Sequence, residues 1–383
     1  MQAEEATAER SGPASLAIVG SYPPPYGGVG IHVQRLCPLL EARGLRYVVY
    51  NATSEVGDGQ RIVPVYRQRR TWVLRYLLTA REPAVYLMSG RLIAWVVGGL
   101  LASWRGKRVL LRLRNASLPD WVRESPWRRF WAGFALRRMS GVVCVSRLLM
   151  DSARALGVPA ERLHWSPGFL PPGVGPADRQ EVAPEVWRFI ERRRPVITAN
   201  GKVDWYEGQD LYGLDHLVEL AGRLKPDYPD VGVIVCFSDH SAAEQAYVDR
   251  LQQRAAELGV AENILFNTRS GVFVPVLAAG DVFVRPTNTD GDAISVREAL
   301  YLGVPTVASD AVTRPEGAML FRARDLDGFE RCVREALALG QGAGGRRAGG
   351  LTAEDEARIR KYVDLLCAVA GGPARCTAPA NGA

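Results

Sequence analysis

The stretch 281–310, DVFVRPTNTDGDAISVREALYLGVPTVASD, constrains this chain more than any other. It opens with a short apolar run at 282–284 that reads as a buried strand, closed by Arg285 and Pro286. A polar, glycine-containing loop follows, then an amphipathic helix over about 293–302. Gly303 stands where a helix C-cap belongs, and residues 305–309 supply the next strand. This strand–loop–helix–strand unit places two acids, Asp290 and Asp292, at a helix N-terminus. A third acid, Glu298, follows about one and a half turns further in. Free backbone N–H groups and the helix dipole there favour an anion such as a phosphate. Carboxylates beside them suit sugar or ribose hydroxyls. A phosphate with hydroxyls describes a nucleotide sugar.

The rest of the chain repeats this grammar. Apolar runs at 15–20, 47–50, 85–88, 108–113 and 141–145 alternate with helical patterns, and a second series follows at 196–199, 231–237 and 264–267. Alternating strands and helices predict doubly wound parallel sheets, and 383 residues are enough for two such domains. Ligands of such sheets bind at the carboxyl ends of the strands. Gly27 and Gly28 lie between the first strand and its helix, where a glycine-rich turn lets a phosphate approach backbone N–H groups. A Rossmann dinucleotide site is the less favoured reading, since the full Gly-x-Gly-x-x-Gly is absent and no acid ends the second strand. Arg114 and Asn115 follow the 108–113 strand and are cleft candidates on the same rule. Residues 171–194 are rich in proline and charge and read as an interdomain linker.

Charge and cysteine narrow the class. The net charge of +7 is uneven, with 24 Lys and Arg against 11 Asp and Glu in residues 1–170. The first half therefore faces something anionic. Two basic segments, 67–81 and 121–139, mix arginine with Trp, Leu and Phe at helical spacing. They read either as an interfacial surface for anionic lipid or as surface helices with snorkelling arginines. No nucleic-acid motif accompanies the charge, so nucleic acid is not an expected partner. Six scattered cysteines without Cys-x-x-Cys argue against zinc and against a disulfide framework, and point to a reducing, cytoplasmic setting. The polar N-terminus is not a signal peptide, and the longest apolar run, 13 residues at 92–104, is too short to span a bilayer.

The 281–310 stretch resembles the donor-site signature of retaining glycosyltransferases of family 4, which have the GT-B fold. That signature is an acid, seven residues, Glu and Ala, followed by Gly-x-Pro-Val-Val-Ala-Ser. Asp290, Glu298 and Ala299 hold the acid and alanine positions, and GVPTVASD at 303–310 follows the pattern. The departures are Asp290 for the first Glu, Asp292 for an aromatic and Ala293 for a glycine. The resemblance implies two Rossmann-like α/β domains facing each other across a cleft. The domains are expected at 1–170 for the acceptor and 195–350 for the nucleotide sugar, with a helix at 351–372 packing back on the first and a disordered tail at 373–383.

It further implies that Glu298 holds the donor ribose, Asp290 the sugar hydroxyls, and the N–H groups around Asp292, Ala293 and Ile294 the diphosphate. Lys202 stands where relatives have the first of two diphosphate-binding cations; the second place falls at Tyr212-Gly213, or at Glu207-Gly208 in another register, so that cation is missing or comes from elsewhere. Thr268 and Arg269 fall where relatives cradle the nucleobase, Gly27 and Gly28 where they face the diphosphate and acceptor. Arg114 or Asn115 replaces a histidine that approaches the donor sugar. The activity implied is hexosyl transfer from a UDP- or GDP-sugar, with retention, to a glycan or lipid-linked acceptor. No cofactor and no metal are implied, although Asp290-Gly291-Asp292 also matches an Asp-x-Asp metal motif. Other readings are an ordinary crossover with solvated acids, a nucleotide-sugar epimerase, a transferase for a soluble acceptor, and an inactive GT-B subunit that binds a partner.

Overall fold

The computed structural model describes residues 15–371 except positions 25, 68, 115–116, 167, 174–175, 238–239, 270, 291–292 and 342–348. It divides into two compact units, one running to Leu170 and resuming at Ala353, the other spanning Pro171–Thr352. The first unit begins β1 (Leu16–Gly20), α1 (Gly28–Glu41), β2 (Tyr47–Asn51), β3 (Ile62–Pro64), α2 (Arg69–Thr79) and β4 (Ala84–Leu87). It continues with α3 (Leu92–Trp104), β5 (Arg108–Leu113), α4 (Ser117–Glu124), α5 (Pro126–Leu136), β6 (Gly141–Cys144), α6 (Arg147–Ala155) and β7 (Leu163–Trp165).

These strands form one parallel sheet in the order β3-β2-β1-β4-β5-β6-β7. Both faces are covered, which is why its strands read as nearly unbroken apolar runs. Leu16, Ile18 and Leu110 pack on one face with Val33 and Leu36 of α1. Ala17, Val109 and Leu111 pack on the other with Trp95 of α3 and Ala132 of α5. Serines set two of the helix starts: the Ser125 and Ser146 hydroxyls accept from the amides of Arg128 and Leu149.

The second unit contains α7 (Pro176–Gln180), α8 (Pro184–Arg192), β8 (Val196–Gly201), a hairpin of β9 (Trp205–Tyr206) and β10 (Gln209–Asp210), and α9 (Leu214–Leu224). Then come β11 (Gly232–Phe237), α10 (Gln245–Glu257), β12 (Ile264–Asn267), α11 (Val274–Ala279), β13 (Val282–Arg285), α12 (Ile294–Tyr301), β14 (Thr306–Ser309), β15 (Met319–Phe321) and α13 (Leu326–Gln341). Its parallel sheet runs β12-β11-β8-β13-β14-β15. The last helix, α14 (Ala353–Ala370), returns to the first unit, where Tyr362, Val363 and Leu366 join the α1 face of the sheet.

Two features depart from the sequence reading. The 171–194 stretch, expected to be a linker, carries α7 and α8. Val186 and Ile190, four residues apart on α8, are buried against Val196 and Ile234. That apolar pair was hidden in a run dominated by proline and charge. The β9–β10 hairpin and the edge strands β3 and β15 are also additions, each only two or three residues long. The expected tail at 373–383 lies outside the described residues.

Candidate functional site

In the second unit strand order reverses beside β8, between β11 and β13, so the carboxyl ends of β8 and β13 flank a topological switch point. The loop after β8 brings Lys202 there, and the loop after β13 brings Asp290. Gly213, just before α9, lets these loops meet: its φ is +65° and an added Cβ would lie 2.4 Å from the Pro286 carbonyl oxygen. Only glycine accepts both conditions.

Asp290 is not an open carboxylate. Nε and Nη2 of Arg285 donate to its two oxygens at 2.9 and 3.2 Å, and Nη1 of Arg314 donates to Oδ2 at 2.9 Å. All three side chains are buried, with exposures of 9% for Arg285, 10% for Asp290 and 1% for Arg314. Burial raises the acid's pKa, but the two guanidinium groups outweigh it and hold the carboxyl below its usual range. Arg285 also donates through Nη1 to the carbonyl and side-chain oxygens of Asn200, at 2.9 and 3.2 Å, and lies 4.9 Å above the Tyr212 ring. Arg314 donates to the Ser309 carbonyl and to the Thr287 hydroxyl. Asp290 is thus the hub of a charged lattice joining β8, β13 and β14. Two flanking cations also make it a poor ligand for a divalent metal.

Lys202 is close by but occupied: its Nζ is 2.7 Å from Asp204 Oδ2, and that hydrogen bond raises its pKa. Ala293 is the N-cap of α12 and Ile294 its first residue, and no side chain caps the helix. Glu298 is buried on the second turn of α12. Asp292 lies outside the described residues.

Thr268 and Arg269 follow β12, on the far side of β11 from the switch point. A cavity of about 220 Å³ opens at the ends of β11 and β12, lined by Val182, Ala183, Pro184, Phe237, Asn267 and Arg269. Arg269 Nη1 pairs with Glu185 Oε1 at 3.1 Å, tying the pocket to α8. Thr268 does not line this cavity as its neighbours do. The residues that sequence reasoning missed are Arg285, Arg314 and the 182–184 wall. Arg285 reads as a mere strand terminator, and the wall lies in the stretch read as a linker.

In the first unit, Gly27 is the N-cap of α1 and Gly28 its first residue, with no side-chain cap and no acid in the first turn. Asn115 lies outside the described residues. Arg114 stands just past β5, in register with buried Leu110 and Arg112 on one sheet face. Deeper on that face runs a directed hydrogen-bond chain. His32 Nδ1 is 3.0 Å from the Gly168 carbonyl, which can only accept, so Nδ1 carries the proton and Nε2 accepts from the Tyr362 hydroxyl at 3.0 Å. The Tyr86 hydroxyl then donates to Tyr362 at 2.7 Å, and Arg112 donates to Tyr86 at 3.4 Å. Burial, with Arg112 and Arg114 adding to it, lowers the His32 pKa well below 6.5, so the ring is neutral. A cavity of about 640 Å³ in this unit lies beside α2, and its Glu82 is already held by Tyr50 and Tyr76. Glu82 precedes β4, at the amino end of that strand.

Residues 208–318 match the family model for glycosyl transferases group 1, a span containing α9, the Asp290 hub, α12 and β14. The chain is similar to group 1 glycosyltransferases. Among curated proteins, the lipopolysaccharide core biosynthesis mannosyltransferase LpsB of Rhizobium meliloti is 30% identical over 183 residues, 47% of this chain and 48% of that protein. The GDP-mannose-dependent alpha-(1-6)-phosphatidylinositol monomannoside mannosyltransferase of Mycolicibacterium smegmatis is 29% identical over 231 residues, 53% and 56% of the two chains. The chain thus spans about half the length of the curated relatives it matches. Among solved structures, the UDP complex of Anabaena HepE aligns with a TM-score of 0.58 at 16% identity, covering 92% of this chain and 96% of that one. A glycosyltransferase from Rickettsia africae gives 0.62 at 13% identity, covering 93% and 98%. The fold is the α/β GT-B fold.

Proposed function

We propose that this group 1 glycosyltransferase-like chain transfers a hexosyl group from a nucleoside diphosphate sugar, with retention, to a glycan or lipid-linked acceptor. The observation that carries the reading is the second unit's constellation: buried Glu298 on an uncapped α12 inside the matched span, with a base-sized pocket at the ends of β11 and β12. Glu298 would hold the ribose hydroxyls. The N–H groups around Ala293 and Ile294 would stabilise charge building on the leaving diphosphate, with Lys202 once it exchanges Asp204 for the ligand. The pocket beside Asn267 and Arg269 would take the base. Both curated relatives are named mannosyltransferases, one GDP-mannose-dependent, so GDP-mannose is the first donor to try beside UDP-sugars.

The reading needs neither metal nor cofactor. Family 4 chemistry, in which a donor phosphate oxygen takes the acceptor's proton on the same face, would account for retention without a pair of free carboxylates. The acceptor and any membrane contact are assigned to the first unit. Trp127 and Phe130 of α5 are 65% and 61% exposed beside exposed Arg128 and Arg129, a composition suited to an anionic bilayer surface. Among the described residues no helix is long and apolar enough to cross a membrane.

The locking of Asp290 by Arg285 and Arg314 favours one second reading: a GT-B subunit that retains the nucleotide pocket without turnover. Donor turnover separates the two. Thermal shift and hydrolysis are measured with UDP-, GDP-, ADP- and dTDP-sugars, with and without EDTA, on wild type and Glu298→Gln. The transferase reading expects one base to stabilise the protein, insensitive to EDTA, with slow hydrolysis and binding about ten- to a hundredfold weaker in the variant. Stabilisation without turnover in any acceptor mixture supports the inactive subunit. Loss of stabilisation with EDTA would overturn the metal-free mechanism.

A further inference from the structure

The first unit holds a donor that the fold itself does not use. The chain Arg112–Tyr86–Tyr362–His32–Gly168 is hydrogen-bonded link by link, with the Arg112 guanidinium at its donor end and the Gly168 carbonyl at its acceptor end. Arg114 stands outside it. Its Nη1 is buried and has no hydrogen-bond partner among the described residues. The charges that bear on this face are cationic: Arg112 lies two residues back on the same face, and Arg35, Arg112 and Arg114 all act on His32. A buried guanidinium with an unmet N–H costs free energy, and the cost grows when the nearest charge has the same sign.

We propose that the first unit carries an oxyanion site of the phosphate class centred on Arg114, and that it holds a phosphoryl group on the acceptor. The assignment to the acceptor rests on the transferase reading; the anion site itself does not. Guanidinium presents a planar fork that matches phosphate oxygens in two parallel hydrogen bonds. Burial, and after it Arg112, push the Arg114 pKa down to about 10, and a bound anion would relieve both effects. The N-terminus of α1, with no acid in its first turn, adds a dipole of the right sign to the same unit. The sheet order supplies the logic of the place, because Arg114 follows the carboxyl end of β5, where parallel sheets take their ligands.

The test is calorimetric titration of the full chain with inorganic phosphate, glycerol 3-phosphate and glycerol, in buffer free of phosphate and sulfate. Wild type should bind glycerol 3-phosphate more tightly than inorganic phosphate and should not bind glycerol. Arg114→Gln should weaken phosphate binding at least tenfold, and Arg114→Lys, which keeps the charge but not the fork, should fall between. Circular dichroism confirms that each variant is folded, and Arg114→Lys keeps the comparison usable if Arg114→Gln is not. Glu298→Gln should leave phosphate binding intact while weakening the nucleotide. Unchanged phosphate affinity in Arg114→Gln, or no binding of either phosphate at millimolar concentration, would overturn the site. Binding of inorganic phosphate but not of the ester would overturn its assignment to the acceptor. Intact phosphate binding with no nucleotide binding would sink the transferase reading alone.

Discussion

Asp290 shows how far a residue's chemistry depends on what reaches it. Its place in the spacing to Glu298 is legible from the chain, and a sugar-binding role follows from resemblance. The structure adds Arg285 and Arg314, five residues before it and 24 after it, and makes the acid the centre of a buried ion triad. Removing one member of such a triad leaves charge uncompensated in a medium that solvates it poorly. Asp290→Ala should therefore destabilise the second unit by about 3–5 kcal/mol, and Asp290→Asn by less, since the amide still accepts hydrogen bonds. Urea unfolding measures this directly. If stability is unchanged while turnover vanishes, Asp290 serves the substrate alone and the triad has no structural weight. Nothing in a one-dimensional pattern marks Arg314 as its partner, because the contact arises only when β14 is laid beside β13.

At the scale of elements, the switch point in the second unit depends on two loops approaching backbone to backbone. Gly213 carries that approach. A methyl group there would meet the Pro286 carbonyl at 2.4 Å and would hold a side chain at φ +65°. Gly213→Ala should cost on the order of 1–3 kcal/mol in strain, displace the start of α9 from the β13 loop, and weaken nucleotide binding with it. Thermal unfolding and nucleotide affinity, measured together, check the coupling; a stable variant with full affinity would show that the loops move independently of the site. The main helices and strands were legible because their apolar periods repeat over four residues or more. The β9–β10 hairpin, β3 and β15 were not, because two or three residues carry no period. Helix α8 was hidden for a different reason: a single i, i+4 pair, Val186 and Ile190, is its only fully buried apolar signal.

For the molecule as a whole, the first unit is closed by chain segments far apart in sequence. His32 of α1, Gly168 after β7 and Tyr362 of α14 share one buried hydrogen-bond chain. Arg35, Arg112 and Arg114 face the ring with positive charge, and Tyr362 and Tyr86 face it with neutral hydroxyls. The folded pKa of His32 lies well below 6.5, so between that value and 6.5 the unfolded chain binds a proton that the folded chain refuses. Stability should be full above about pH 6.5 and fall as pH drops below it, with a slope approaching about 1.4 kcal/mol per pH unit from this group. A His32→Asn variant should start less stable and lose that part of the slope. Equal slopes in denaturant titrations from pH 7.5 to 5.5 would show that His32 does not control it.

The sequence alone determined two doubly wound α/β sheets, the glycine turn before α1 and the acids bracketing α12, since local periodicity and spacing encode them without reference to the rest of the chain. It also placed Arg114 just past the carboxyl end of a strand, the edge at which such sheets take ligands. Tertiary structure decided what those side chains are free to do. It locked Asp290 between two arginines, paired Lys202 with Asp204 and walled a base-sized pocket with residues 182–184. It also gave both His32 nitrogens a partner and left Nη1 of Arg114 without one among the described residues. Each of these depends on charges and hydrogen-bond partners that meet only when the strands are laid side by side. Electrostatics and desolvation act through space, and the order of residues along the chain does not carry that distance.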